Sequence, residues 1–237
     1  MTLQRADIRR GMRLSVPIAL GYFAVSFAFG ISAVQSGVPP FLAAFISLTN
    51  LSSSGQFAGV KILAAGGAYV ELVLSVLIIN LRYILMSLSL SQKMIALPRW
   101  QKLLLGYGVT DEIYAAAIQQ EGDLSFSFFA SLIVLPVLGW SGGTLTGALM
   151  GQLLPQTVTA ALGIALYCMF IAIVVPPATK DSRILKTVLI AAGFSIALTY
   201  LPQFSFLPVG WRVILCTLAA SSLMALRDVR TLKERRQ

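Results

Sequence analysis

The residues best suited to ligand binding are polar side chains that interrupt one long apolar stretch. Residues 49–57 read Thr-Asn-Leu-Ser-Ser-Ser-Gly-Gln-Phe, so seven of these nine are polar or glycine. Serine can hydrogen-bond to the backbone and glycine relaxes the limits on φ, and both make an unwound helix tolerable where protein or water satisfies the freed amides. We therefore expect a break in the helix and a binding site formed by Ser52, Ser53, Ser54, Gly55, Gln56 and Phe57.

The next apolar stretch carries charges within it. Arg82 lies a little past its centre, where a charge costs about 2.5–3.5 kcal/mol on insertion scales and usually faces a cavity or a partner. Either it binds a ligand carboxylate through its planar donor fork, or it pairs structurally with an acid or with unwound carbonyls. Glu71 lies on nearly the same helical face, about 16 Å away along the axis, and is either an ion-coupling group or a partly solvated cap at the helix end. Asn80 points toward a different neighbour and is a further binding candidate.

Two adjacent acids, Asp111 and Glu112, follow Thr110. The order Thr-Asp-Glu is typical of a helix start, where threonine caps the helix and acids favour its positive end. The alternative is a proton acceptor, whose pKa burial would raise and a nearby arginine would lower. Lys61 either pairs with one of the acids or extends its amine to the membrane interface.

The sequence lacks the residues on which most enzymatic and metal chemistry depends. It has no histidine, two cysteines without a CxxC-type partner, and no GxxxxGK[ST] phosphate loop. The usual zinc ligands and histidine-assisted nucleophiles are therefore missing. We expect no catalytic residues, no metal and no cofactor, and a protein that is not an enzyme, with a carboxylate-only metal site left open.

The composition indicates the elements that must hold these residues. Only 11% of the 237 residues are charged and 57% are hydrophobic, against roughly 25% charged in soluble domains. The apolar runs are near 20 residues long, which is about the length that a helix needs to cross a bilayer. The sequence thus predicts an all-α polytopic membrane protein formed by a single integral membrane domain, residues 1–237.

The distribution of basic residues predicts the topology. Seven apolar segments lie at about residues 14–36, 39–66, 68–90, 124–150, 156–178, 184–202 and 208–226. Of the 18 basic residues, 15 fall into four clusters, which share the cytoplasmic side only if one segment does not cross. We predict about six transmembrane helices plus a broken or re-entrant hairpin at 39–66. Residues 1–13 and 227–237 are then basic cytoplasmic ends, and the net charge of +9 reflects topology rather than nucleic-acid binding.

A second interruption is expected in the fourth apolar segment, at residues 139–144 (Gly-Trp-Ser-Gly-Gly-Thr). Two broken segments in separate halves of a chain are typical of secondary transporters that bind substrate near the bilayer midplane. The alternative is that both stretches are packing faces of small residues.

Four short motifs, in this order, resemble those of the AzlC-like large subunits of branched-chain amino-acid exporters. They are Phe-Gly-Ile at 29–31, Ser-Ser-Gly-Gln-Phe-Ala at 53–58, Asn-Leu-Arg-Tyr at 80–83 and Thr-Asp-Glu at 110–112. The family usually has Asn-Leu-Arg-His in the third motif. Tyr83 replaces that histidine, which removes the one side chain there able to titrate near neutrality.

The resemblance implies a secondary transporter subunit of the bacterial cytoplasmic membrane that exports aliphatic amino acids. It also implies a small, hydrophobic AzlD-like partner subunit. Residues 52–55 would then hold the substrate carboxylate, Gln56 and Asn80 would orient its polar end, and Phe57 would receive its aliphatic group. Ion coupling, to protons, would fall to Glu71, Asp111 or Glu112. A channel-like facilitator or a membrane scaffold for a partner protein is the alternative.

Overall fold

In the computed structural model, the protein consists of helices and short connections. The structure describes residues 2–94, 96–151, 153, 155, 157, 171, 174–176, 178–204 and 206–234, and these contain no strand. The helices in this part of the chain are α1 (Thr2–Gln35), α2 (Pro40–Thr49), α3 (Ser53–Ala64), α4 (Tyr69–Gln92), α5 (Arg99–Gly106), α6 (Asp111–Ile118), α7 (Phe126–Met150), α8 (Ser182–Tyr200) and α9 (Val209–Glu234), with a 3₁₀ turn at Pro202–Phe204. The predicted all-α fold class is confirmed.

Four of the described helices, α1, α4, α7 and α8, are long and apolar enough to cross a membrane. They correspond to the first, third, fourth and sixth predicted apolar segments. The last predicted segment lies within α9, whereas the fifth, residues 156–178, falls almost wholly outside the described residues. The orientation of the chain stays a prediction.

The chain divides into two compact units. The first contains residues 1–60 and 79–166, and the second contains residues 61–78 and 167–237. The single membrane domain predicted from the sequence stays a prediction.

The second apolar segment is broken, as the sequence predicts. Only residues 50–52 leave the helical form, because α3 already begins at Ser53; the break is therefore shorter than the expected stretch of residues 49–57. Helices of 10 and 12 residues extend about 15 and 18 Å, well short of a hydrocarbon core of about 30 Å. Neither α2 nor α3 is long enough to cross a bilayer alone.

The fourth apolar segment is not broken, so the interruption predicted at residues 139–144 is wrong. α7 is continuous there, and its small residues let α1 approach closely. A Cβ atom on Gly139 would lie 2.5 Å from the carbonyl oxygen of Ala19, and one on Gly143 would meet the backbone of α1 in the same way. Small residues at four-residue spacing are typical of close helix packing in membranes. This stretch is a packing face.

Apolar side chains form two clusters within the first unit. One joins α5, α6 and α7 and contains the buried side chains of Ile113 and Phe129. The other joins α1, α2 and α3 around Phe29, Ala43 and Phe57. The second cluster holds the broken helix pair against α1.

Candidate functional site

The break between α2 and α3 is stabilised by polar side chains. The backbone of Asn50 is extended, and its Oδ1 accepts a hydrogen bond from the Ser52 amide at 3.1 Å. The Ser52 hydroxyl accepts from the Gly55 amide at 3.2 Å, which caps α3, and donates to Asn80 Oδ1 at 2.5 Å. These bonds replace helical ones lost at the break, and they fix the start of α3 against α4.

The first turn of α3 presents free amides. The first four N–H groups of a helix have no partner within it. Here Ser52 accepts hydrogen bonds from Gly55 and Gln56, so the amides of Ser53 and Ser54 are left without a partner in the described chain. Because a helix N-terminus carries partial positive charge, this turn is suited to a carboxylate.

Gln56 belongs to a buried polar network that links α2, α3 and α7. Its side-chain nitrogen donates to Ser47 Oγ at 2.8 Å, and its Oε1 accepts from the Trp140 indole at 2.8 Å. Ser47 Oγ also shares a hydrogen bond of 2.7 Å with Thr144 Oγ1. Gln56 is only 2% exposed, and its side-chain amide holds the three helices together. The side-chain nitrogen carries two N–H groups and donates one of them to Ser47, so the other is available to a further partner.

The bond between Gln56 and Ser47 also shows that the chain changes direction at the break. Along a continuous helix, nine residues would separate the two positions by about 13.5 Å, yet their side chains are in contact. Phe57, the next residue, is buried against Phe29 with ring centroids 5.1 Å apart. It lies in the core of the α1–α3 cluster, and its predicted contact with a ligand stays a prediction.

Arg82 and Asp111 form an ion pair between α4 and the start of α6. Arg82 Nη2 lies 3.1 Å from Asp111 Oδ2, with side chains 36% and 26% exposed. The guanidinium also lies 5.2 Å from the centroid of the Tyr83 ring, while its Nε is buried without a hydrogen-bond partner in the described chain. Burial raises the pKa of Asp111, and the positive charge of Arg82 opposes that rise.

The neighbouring acid, Glu112, is held by α1. The Tyr22 hydroxyl forms hydrogen bonds with Glu112 Oε2 at 2.5 Å and with Thr110 Oγ1 at 2.6 Å. Both acids lie in the first turn of α6, as the sequence predicts, but the Thr110 side chain makes no capping hydrogen bond. Tyr22 also packs edge-on against Trp140, with centroids 5.5 Å apart, which links Glu112 to the Gln56 network.

Glu71 lies in the second unit. It is 3% exposed, and its Oε1 accepts the Gly210 amide at 2.7 Å. Gly210 is in the first turn of α9, so the carboxylate caps that helix from α4. The expectation of a partly solvated end-cap is therefore wrong in its exposure, because this carboxylate is buried. Lys61 is exposed.

The structure thus brings most of the candidate residues together in the first unit. Ser52, Gln56, Asn80, Arg82, Asp111 and Glu112 are linked by direct contacts or through shared partners. Sequence reasoning missed four members of this group: Tyr22, Ser47, Trp140 and Thr144. Trp140 and Thr144 stand in the glycine-rich stretch that was interpreted as an interruption, and polar groups in an apolar helix were the available sign for all four.

The chain is similar to several bacterial membrane proteins. A family profile described as "AzlC protein" matches residues 17–154, which is more than half of the chain. Inner membrane protein YgaZ of Escherichia coli strain K12 is 29% identical over 206 residues, covering 83% of this chain and 84% of that protein. An uncharacterized membrane protein of Helicobacter pylori strain 26695 is 29% identical over 141 residues, covering 58% of this chain and 61% of that protein. No solved structure matches the chain.

Long apolar helices and a buried polar network define the class of this molecule, a polytopic helical membrane protein with a polar site inside its fold. All four motifs that predicted the family lie within the matched residues. The chain belongs to the AzlC family. It is an integral protein of the inner membrane with a role in membrane transport.

Proposed function

We propose that the chain is the large subunit of an exporter of branched-chain amino acids, driven by an ion gradient. The observation that carries the proposal is that one short segment of α4 contacts both the chain break before α3 and the acidic start of α6. Asn80 bonds to Ser52 at the chain break, and Arg82, two residues later, pairs with Asp111. We therefore expect a change at the acids to reach the break through α4.

The substrate carboxylate binds at the start of α3. The free amides of Ser53 and Ser54 supply two donors at the positive end of the helix, and the remaining N–H of Gln56 lies in the same turn. Leucine, isoleucine and valine share the carboxylate and a branched apolar side chain, and the apolar residues around Phe57 accept the latter. This division between a few polar donors and an apolar lining is typical of small-molecule sites.

Protons couple to transport through Asp111. When Asp111 is ionised, it pairs with Arg82; when it is protonated, the pair loses its charge attraction and the guanidinium is free to interact elsewhere. Glu112 is the second candidate, because its hydrogen bond to Tyr22 connects it to α1 and, through Trp140, to Gln56.

The working transporter contains a second, small and very hydrophobic subunit of the AzlD type. This part of the proposal rests on the motifs of the family. It predicts that the chain alone supports little export and that the two subunits together restore it.

Efflux of radiolabelled leucine from cells tests the proposal. Cells with both subunits should export leucine faster than cells with either one, and Arg82→Gln should lower this rate at unchanged protein abundance. Arg99→Gln, which removes a positive charge from α5, is the matched control and should export normally. Normal efflux in Arg82→Gln would contradict the proposed site.

Counterflow in proteoliposomes separates a carrier from a channel or a scaffold. A carrier accumulates labelled leucine against preloaded unlabelled leucine, because both exchange through the same alternating site. A channel gives equilibration without transient accumulation. A scaffold gives no flux at all, while its partner's abundance falls when the scaffold is removed.

A further inference from the structure

The N-terminal end of α1 carries a cluster of arginines. Arg5, Arg9, Arg10 and Arg13 are all exposed, and together with Ala6 they line an open recess of about 650 Å³. None of the four forms an ion pair or a hydrogen bond with the part of the chain that the structure describes. The one acid in this segment, Asp7, accepts a hydrogen bond from the hydroxyl of Ser125, the residue that caps α7. Like charges four residues apart destabilise a helix, so an external anion would relieve a repulsion that this fold maintains.

The packing of α1 aims this cluster away from α7. At 100° per residue, Gly11 and Ser15 lie within about 80° of Asp7 around the helix. This side meets α7, where a Cβ on Gly11 would lie 2.5 Å from the Phe128 carbonyl oxygen. The four arginines lie about 160–300° around the helix from Asp7. The close contact of α1 with α7 therefore fixes the direction in which the guanidiniums point.

Exposed apolar residues follow the arginine cluster on the same side of α1. Val16 and Leu20, 46% and 68% exposed, lie at about 180° and 220°, within the same sector as Arg9 and Arg13. Exposed apolar residues on a membrane-crossing helix are suited to lipid contact, so the arginines lie on a side of α1 that is suited to face lipid. Arg13 is about 4.5 Å and Arg9 about 10.5 Å below Val16 along the axis, against a headgroup layer of about 5–7 Å on each side of the core.

We propose that Arg5, Arg9, Arg10 and Arg13 form a binding site for an anionic phospholipid of the cytoplasmic leaflet. The guanidiniums bind the headgroup phosphate, to which arginine donates two parallel hydrogen bonds. The acyl chains lie along Val16 and Leu20. A lipid satisfies both groups of residues at once, whereas a soluble anion or an acidic protein segment satisfies only the charged one.

Thermal unfolding of the purified full-length chain in detergent tests this proposal. Phosphatidylglycerol should raise the unfolding midpoint above that in phosphatidylcholine with the same acyl chains. Arg9→Gln/Arg13→Gln should lose this difference, and Arg9→Lys/Arg13→Lys should retain much of it because the charge remains. Lys180→Gln/Lys186→Gln, which removes two positive charges beside α8, is the matched control and should keep the full difference.

Three results would overturn the proposal: equal midpoints in the two lipids, an unchanged difference in the Gln variant, or an equal loss in the control. Photocrosslinking of the unaltered chain with a phosphatidylglycerol that carries a diazirine near its headgroup gives a test that needs no variant. Label should concentrate in the peptide containing residues 5–13, relative to the same probe on phosphatidylcholine. Label spread evenly over the basic ends of the chain would contradict a defined site.

Discussion

Asp111 is the residue whose charge state governs the proposed coupling. Burial raises the pKa of its carboxyl, and Arg82 at 3.1 Å opposes the rise. Protonation as the pH falls removes the charge that holds the ion pair. We therefore expect the ion pair to form or break with the protonation state of Asp111, which depends on burial and on the charge of Arg82.

We predict that Arg82→Gln raises the pKa of Asp111 further. The variant removes the positive charge of Arg82, which favours the ionised carboxylate of Asp111, while the burial that raises its pKa remains. Infrared difference spectroscopy during a pH titration measures the protonated carboxyl, and Asp111→Asn assigns the band. The titration midpoint should move to higher pH in Arg82→Gln and stay in place in Arg99→Gln. A midpoint that falls or does not move in Arg82→Gln would be inconsistent with this account.

A second prediction concerns how much the hydrogen bond between Gln56 and Trp140 contributes to the stability of the protein. Trp140→Phe leaves Gln56 Oε1 buried without its donor and should lower the free energy of unfolding by about 1–3 kcal/mol. In Trp140→Phe/Gln56→Leu both polar partners are gone, so the double variant should be less destabilised than the sum of the single ones. Thermal or denaturant unfolding in detergent measures the four members of the cycle. Simple additivity would show that the bond contributes nothing.

The polar residues at the break could be identified from the sequence because they act on residues close to them along the chain. Asn50, Ser52 and Gly55 act on neighbours within three residues, and their types indicate that behaviour. The sequence could not show that Gln56 meets Trp140, because these two residues are 84 positions apart and are joined only by the packing of α3 against α7. The family motifs drew attention to Gln56 without showing its partners.

At the scale of elements, the same small residues perform different tasks in two helices. In the second apolar segment they accompany a run of serines and end the helix. In α7 the glycines recur at positions 139, 143 and 147, so they form one face of a continuous helix. One chain segment does not reveal whether another helix packs against it, and this is why the sequence predicted a second break.

We predict that Gly143→Ala destabilises the protein and that Gly142→Ala does not. A Cβ at Gly143 would collide with the backbone of α1, whereas one at Gly142 meets open space. Overpacking typically costs about 1–3 kcal/mol, while an alanine in open helix stabilises by about 0.5–1 kcal/mol relative to glycine. Unfolding midpoints and the monodisperse yield in detergent compare the pair. Similar behaviour of both variants would contradict the close contact of α1 with α7.

At the scale of the whole molecule, the described chain has a binding candidate and a coupling candidate in one compact unit. α4 joins them through Asn80 and Arg82, and Tyr22 of α1 joins them through its contact with Trp140 of α7. Glu71 belongs to the other unit and has a structural role at the start of α9. Of the three ion-coupling candidates, Asp111 and Glu112 are therefore the ones that the fold connects to the break.

The proposed transport cycle depends above all on an amino-acid carboxylate that binds to the free amides at the start of α3. Leucine counterflow, in proteoliposomes that contain the chain and its small partner, tests it with one pair of variants. Ser53→Pro removes one of these amides at the first helical position, where proline is well tolerated, and Ser53→Ala keeps the amide while removing the hydroxyl. The account predicts strongly reduced counterflow in Ser53→Pro and near-normal counterflow in Ser53→Ala. Equal counterflow in the two variants, at equal protein abundance, would contradict it.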